Sequence, residues 1–258
     1  MKTLFTLLSY CTIFSGIVFA QKLEVMYQET LKVNPDEYKS SVKYSADGKE
    51  STIPNDIFSE LLKSVTEPKN YLLTIYNHET SYKKIEKLNN KQVNSSFYFD
   101  GSGTTKDLFK NLTTKEYFRN VRVMGKPYII KDKLKEYKWS LTRDSKKIIG
   151  FDVKKATAVI DSTTTVTAWY APSIAVKDGP SMFNGLPGLI LELDIKNTKR
   201  KGIESHTISA IEVKEVPTVK PFDKPKDKNI ITNDEYKALN KKELEHYKKM
   251  TSEGVSKD

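Results

Sequence analysis

Thiols are almost absent from this chain: Cys11 is the single cysteine in 258 residues. It lies inside the apolar run Leu4 to Phe19, which follows Met1-Lys2 and closes on Val18-Phe19-Ala20 before Gln21. That is the pattern of a cleaved secretory leader. Cleavage after Ala20 leaves no thiol, hence no disulfide, no thiolate nucleophile and no cysteine-ligated metal. Histidine is scarce too: His78, His206 and His246 stand far apart, without a second ligand at metal spacing. No Gly-x-Ser-x-Gly elbow, phosphate-binding loop or dinucleotide fingerprint occurs. Ser40-x-x-Lys43 and Ser81-x-x-Lys84 lack the companion motifs of penicillin-recognising enzymes. Asp100-Gly101-Ser102-Gly103-Thr104 alternates oxygens as a calcium loop does, but Asn111 stands where the bidentate Glu belongs, so a hairpin turn is expected. No catalytic residue, metal or cofactor is therefore expected.

Long hydrophobic runs are missing after residue 20, and the leader's apolar core is shorter than the roughly 20 residues of a spanning helix. The expected location is exported, periplasmic or outer-membrane-associated. Acidic residues are in deficit, with 43 Lys and Arg against 33 Asp and Glu. A field of that sign favours weak contact with an anionic membrane surface or acidic glycans. Arginine clusters, zinc fingers and helix-turn-helix signatures are absent, so nucleic acid is not an expected partner.

What is present is period-two alternation, the mark of half-buried strands. It runs through Glu24 to Gln28, Leu72 to Tyr76, Ser96 to Phe99, Arg119 to Met124, Tyr128 to Ile130 and Tyr137 to Thr142. It continues through Ile148 to Ile160, Thr165 to Tyr170, Leu189 to Ile195 and Thr207 to Val213. Turn residues separate several of these at Asp47-Gly48, Asp100 to Gly103, Gly125-Lys126-Pro127 and Asp178-Gly179-Pro180. Helical spacing appears twice. Ile57, Phe58, Leu61, Leu62 and Val65 predict a short packing helix, and Thr232 with Glu235 reads as a capping box opening a charged C-terminal helix. The expected fold is mainly β (α+β): a curved antiparallel meander or half-barrel with those two helices. The expected boundaries are a leader over 1–20, a β domain over 21–216, a Pro/Lys-rich linker over 217–231 and a charged helix and tail over 232–258.

One loop differs from the rest. Ala168-Trp169-Tyr170-Ala171-Pro172 leads to Asp178-Gly179-Pro180-Ser181-Met182-Phe183-Asn184-Gly185-Leu186-Pro187-Gly188-Leu189-Ile190. Gly179, Gly185 and Gly188 supply unusual backbone conformations, and Pro180 and Pro187 fix φ. A rigid apolar loop entering a buried strand at Leu189 is expected. Trp169, Tyr170, Phe183, Gly185, Leu186, Pro187 and Gly188 are the candidate residues for binding a ligand or partner; filling the core is their alternative role.

Gly185-Leu186-Pro187-Gly188-Leu189-Ile190 resembles the signature hexapeptide of the GLPGLI family of exported proteins of Gram-negative bacteria. The Ala-Trp-Tyr run, Gly179-Pro180 with Phe183, Trp139-Ser140-Leu141, Ile148-Ile149-Gly150-Phe151 and Lys155-Ala156 resemble it too, so the likeness spans roughly Tyr71 to Val213. Val153 stands where many members carry Cys, so the resemblance implies no disulfide or redox role here. It implies a β-rich envelope protein; some members are similar to the bowl-shaped N-terminal domain of certain secreted glycan amidases. The functional expectation is a non-enzymatic envelope protein binding an apolar ligand or partner peptide at the Gly/Pro loop over a curved sheet. The alternative is a hydrolase of envelope glycan or peptide, using carboxylates that sequence does not group.

Overall fold

Alternation in the first strand sets the plan. In β1 (Lys22–Val33), Leu23, Val25, Tyr27, Glu29 and Leu31 all face inward. The computed structural model describes residues 22–42, 44–46, 49–85, 107–123, 125–217, 222 and 229–253. After β1 come α1 (Pro35–Ser41), β2 (Tyr44–Ala46), β3 (Lys49–Ser51), α2 (Asn55–Thr66), β4 (Lys69–Tyr76), β5 (Glu79–Lys84), β6 (Leu108–Asn111), β7 (Glu116–Val123) and β8 (Lys126–Lys133). The chain continues through β9 (Ser140–Ile148), β10 (Phe151–Val159), β11 (Thr164–Ala171), β12 (Leu189–Asn197), β13 (Ile203–Glu215), β14 (Ile230–Ile231) and α3 (Asn233–Glu253).

Twelve strands form one open sheet in the order β14-β8-β7-β6-β5-β4-β1-β13-β12-β11-β10-β9. The fold is mainly β, as expected, but it is not one continuous meander. Two meanders, β4 to β8 and β9 to β13, are joined through β1, which pairs antiparallel with both β4 and β13. The short β14 pairs parallel to β8, which makes the sheet mixed at that edge. Ile230 and Ile231 lie at the end of the segment expected as a linker; they register with Ile129 and Ile130 instead. The expected strand Tyr137 to Thr142 begins only at Ser140, and Ile148 to Ile160 is broken by a turn at Ile149-Gly150. The leader, Ser96 to Phe99, the turns at 47–48 and 100–103, most of 217–229 and the tail beyond 253 lie outside the described residues. Among those described, no helix is long and apolar enough to cross a membrane.

The main core fills one face of the sheet. Tyr27, Tyr71 and Tyr82 meet at its centre, Tyr71 stacked on Tyr82 at 5.0 Å and Tyr27 edge-on to it at 6.2 Å. A smaller core lies beside the far end of β1, where Leu31 packs with Tyr38 of α1, Ile53, and Phe58 and Val65 of α2. The expected packing helix is thus α2, on the spacing that predicted it. The capping box is formed as well: Thr232 N–H donates to Glu235 Oε2 at 2.7 Å, and Glu235 N–H to Thr232 Oγ1 at 3.2 Å. The free edge strand β9 carries Arg143, Asp144, Lys146 and Lys147 and is mostly exposed, a composition that discourages edge-to-edge pairing.

Between the two cores lies a buried polar cluster on β1, β4 and β13. His206 Nε2 is 2.6 Å from Glu29 Oε1, and the Tyr71 hydroxyl donates to Glu29 Oε2 at 3.0 Å. Arg200 lies 3.2 Å from His206 Nδ1. Burial pulls the Glu29 carboxyl up, but the hydrogen bonds from His206 and Tyr71 and the charges of His206 and Lys69 outweigh it, leaving a net downward shift. The folded state therefore holds this proton less tightly than the unfolded chain. The resulting stability is complete above the ordinary glutamate range of about pH 4.3 and is lost as pH falls through the depressed value. Thermal melts at stepped pH are expected to show a falling acid limb in the wild type. Glu29→Gln should be less stable near neutral pH and should lack that part of the slope.

Candidate functional site

The Gly/Pro segment between β11 and β12 folds back on itself and onto the start of β12. Leu189 N–H donates to Ile174 O, Ile190 N–H to Asp178 O, and Gly185 N–H to Lys177 O, at 2.9–3.1 Å. Asp178 and Asn184 are bridged, so Asp178-Gly179-Pro180 begins a small closed loop rather than a simple turn. Ile174, Val176 and Leu186 point into the core, and burying one such side chain is worth about 2 kcal/mol. At Gly188, with φ +155°, a Cβ would lie 2.3 Å from the Ala171 carbonyl oxygen. Gly185, at φ +93°, meets nothing nearer than Trp139 Nε1 at 3.9 Å.

The loop is fixed to the opposite wing of the sheet by Lys110. This lysine sits on β6, registered with Thr80 and Tyr117, and its side chain is completely buried. Its ammonium donates to Asp178 Oδ1 at 2.6 Å, Ser181 O at 2.7 Å and Gly179 O at 3.0 Å. All three ammonium protons thus have oxygen acceptors from one loop. Burial lowers the Lys110 pKa, and the Asp178 charge opposes that shift. A second tie runs from the Tyr27 hydroxyl to Ile190 O at 2.6 Å. Burial, reinforced by Asp178, pushes the Tyr27 pKa well up, which keeps the phenol a donor.

These ties distribute the seven sequence candidates unequally. Tyr170, Leu186 and Gly188 are buried, and Leu186 and Tyr170 are part of the main core. Gly185 and Pro187 lie at the surface. Trp169 projects away from Tyr170, where the ammonium of Lys146 lies 4.4 Å and that of Lys155 6.0 Å from its ring centre. Phe183 is half-buried and stacks on Tyr137 at 5.2 Å, with Trp139 5.7 Å further on. Trp139 Nε1 donates to Asn184 O at 2.9 Å, and Asn184 Nδ2 donates to Met182 O at 2.8 Å. An aromatic row of Trp139, Tyr137 and Phe183 is therefore held in place by the Gly/Pro loop.

Beside this row opens a cleft of about 310 Å³, lined by Tyr117, Arg119, Asp132, Lys133, Lys135, Tyr137, Met182 and Asn233. β7 and β8 form its floor, Met182 brings in the Gly/Pro loop, and the start of α3 closes one side. Asn233 N–H donates to Asp132 Oδ2 at 3.1 Å, and the Arg119 guanidinium lies 5.2 Å from the Tyr236 ring centre. Burial raises the Tyr137 and Tyr117 phenols, so both face the cleft as neutral hydroxyls. Sequence reading missed Arg119, Asp132 and Tyr137 as site residues. Tyr137 and Trp139, two apart, were the available signal. Among the described residues no group of three or more His, Cys, Asp or Glu is placed to hold a metal.

Residues 111–238 match the family model described as the N-glycanase peptide, N-terminal domain. Among solved structures, two of PNGF-II, in the C2 and P21 space groups, each superpose at a TM-score of 0.51. They are 21% and 20% identical, and each covers 87% of this chain. This chain spans only 33% and 34% of their length, and the likeness is one of fold. No curated protein matches the chain.

Two measurements test the loop's anchoring. Lys110→Met leaves Asp178 buried without its cation, so chemical denaturation should show a loss of about 3–5 kcal/mol. Lys110→Met with Asp178→Asn should recover a large part of it; no recovery would deny the pairing its role. Separately, Gly188→Ala should lower the melting temperature far more than Gly185→Ala. The latter carries only the left-handed backbone cost of about 1 kcal/mol.

Proposed function

We propose that the chain is an exported envelope protein of the GLPGLI type that acts as a non-catalytic glycan-binding module, using the aromatic-walled cleft beside the Gly/Pro loop. The observation that carries this reading is the row Trp139–Tyr137–Phe183, held by the loop beside a cleft that Tyr137 lines together with polar side chains. A sugar ring has an apolar C–H face and a hydroxylated edge. Such a ligand suits ring faces set beside Asp132, Asn233, Tyr117 and Lys133. The apolar ligand expected from sequence is thereby narrowed to one with an apolar face. The Leu and Ile side chains of the hexapeptide serve the core and hold the binding surface from behind.

The N-glycanase in the matched family's description and the PNGF-II fold support glycan as the class of ligand. A hydrolase would need a second acidic or nucleophilic group near the substrate. The cleft lining contains one carboxylate, Asp132, which accepts hydrogen bonds from the backbone N–H groups of Lys133 and Asn233. Recognition is therefore the function this geometry supports better than turnover.

Titration calorimetry with the N-glycan core disaccharide chitobiose is the direct test. Tyr137→Ala and Phe183→Ser should each weaken binding about tenfold with little change in melting temperature. Leu186→Ser, in the core, should instead unfold the domain. Undiminished binding by both aromatic variants would remove the cleft from the function.

A further inference from the structure

The cleft's charge is lopsided. Arg119, Lys133 and Lys135 line it against the single carboxylate of Asp132. That carboxylate is already engaged: Oδ1 accepts from Lys133 N–H at 2.7 Å, and Oδ2 accepts the first N–H of α3 at 3.1 Å. Lys133 is paired with Glu116 at 3.1 Å. Arg119 and Lys135 differ. Lys135 makes one 3.3 Å bond to the Ile160 carbonyl and lies 5.6 Å from the Tyr137 ring centre. Arg119 is half-buried, stacked on Tyr236, with its Nε inaccessible and without a hydrogen-bond acceptor. Among the described residues its guanidinium has no carboxylate partner.

A guanidinium clamped against an aromatic ring and lacking an anion is a fork ready for a carboxylate or other oxyanion. Building on the glycan reading, we infer that this cleft selects acidic saccharides. In this arrangement Arg119 receives the sugar carboxylate, Lys135 adds a second positive charge to the lining, and Tyr137 takes the ring face. α3 contributes by fixing the guanidinium through Tyr236 and by occupying Asp132, the one group that would repel the ligand. The same fork would accept a free oxyanion, so the ligand's sugar and its charge must be tested apart.

Titrations of the full chain with 3′-sialyllactose, lactose and inorganic phosphate separate these terms. Sialyllactose is expected to bind about tenfold more tightly than lactose at low salt, with the advantage shrinking as salt rises. Arg119→Gln should bring sialyllactose down to the level of lactose, so that the difference between the two saccharides disappears and no longer varies with salt. Lys135→Gln, at an exposed position, should give a partial loss of the same kind without affecting the fold. Equal binding of both saccharides by the wild type would overturn the acid selectivity and leave the glycan reading standing. Binding of phosphate alone, abolished by Arg119→Gln, would overturn the saccharide while keeping the oxyanion fork. Binding of none of the three would overturn both.

Discussion

Moving an ammonium out of water into a protein interior costs several kcal/mol unless its protons find acceptors and its charge finds a counterion. Lys110 satisfies both conditions with a single loop, taking Asp178 for charge and the carbonyls of Gly179 and Ser181 for its remaining protons. The geometry is demanding because Lys110 comes from one meander and its three acceptors from a loop within the other. Once they meet, the path of residues 178–181 is defined. Ser181 sits at φ +55°, outside the usual backbone range, with its carbonyl accepting from Lys110. Everything downstream follows from that placement. Leu186 enters the core, Asn184 presents its carbonyl to Trp139, Met182 lines the cleft and Phe183 stacks on Tyr137.

Much of the fold was legible in residue order because burial is written in alternation. β4, β11 and β12, and β1 apart from Glu29, carry apolar residues at every second position, and α2 and the cap of α3 follow their expected spacing. Where alternation is masked by polar residues that are nevertheless buried, the reading failed. β5 reads Glu-Thr-Ser-Tyr-Lys-Lys, yet Thr80, Ser81 and Tyr82 are all interior. β6 hides a buried lysine behind Leu108 and Phe109, and no local feature distinguishes Lys110 from the many solvent-exposed lysines. Glu29 and His206 share that invisibility, being 177 positions apart and meaningful only as a pair. The Gly/Pro loop was visible as an anomaly. Which of its residues face solvent depended on partners at Lys110, Tyr27 and Trp139 that no reading of the loop alone could supply.

The cleft illustrates how a core-forming motif and a proposed recognition surface share one segment. Residues of the loop serve different purposes: Leu186 and Gly188 are buried, whereas Met182 lines the cleft. A rigid support matters for binding because an aromatic wall that is already immobile loses little entropy when a ligand arrives. The same logic extends to α3. Its first turn is tied to Asp132 and Arg119 and borders the cleft, while Leu244 further along is exposed.

The position of β1 at the junction of the two meanders governs how the molecule can assemble. One of its edges meets β4 within the first third of the chain, but the other must wait for β13, some 180 positions later. Pairings so distant in sequence incur their loop-closure entropy before they return any contact energy, and they slow folding accordingly. Until the last third of the polypeptide is available, one side of β1 remains an unmatched template of amide and carbonyl groups. The sheet thus cannot finish from its N-terminal part during synthesis: its central seam closes late, and closing it joins the two wings into one cooperative unit.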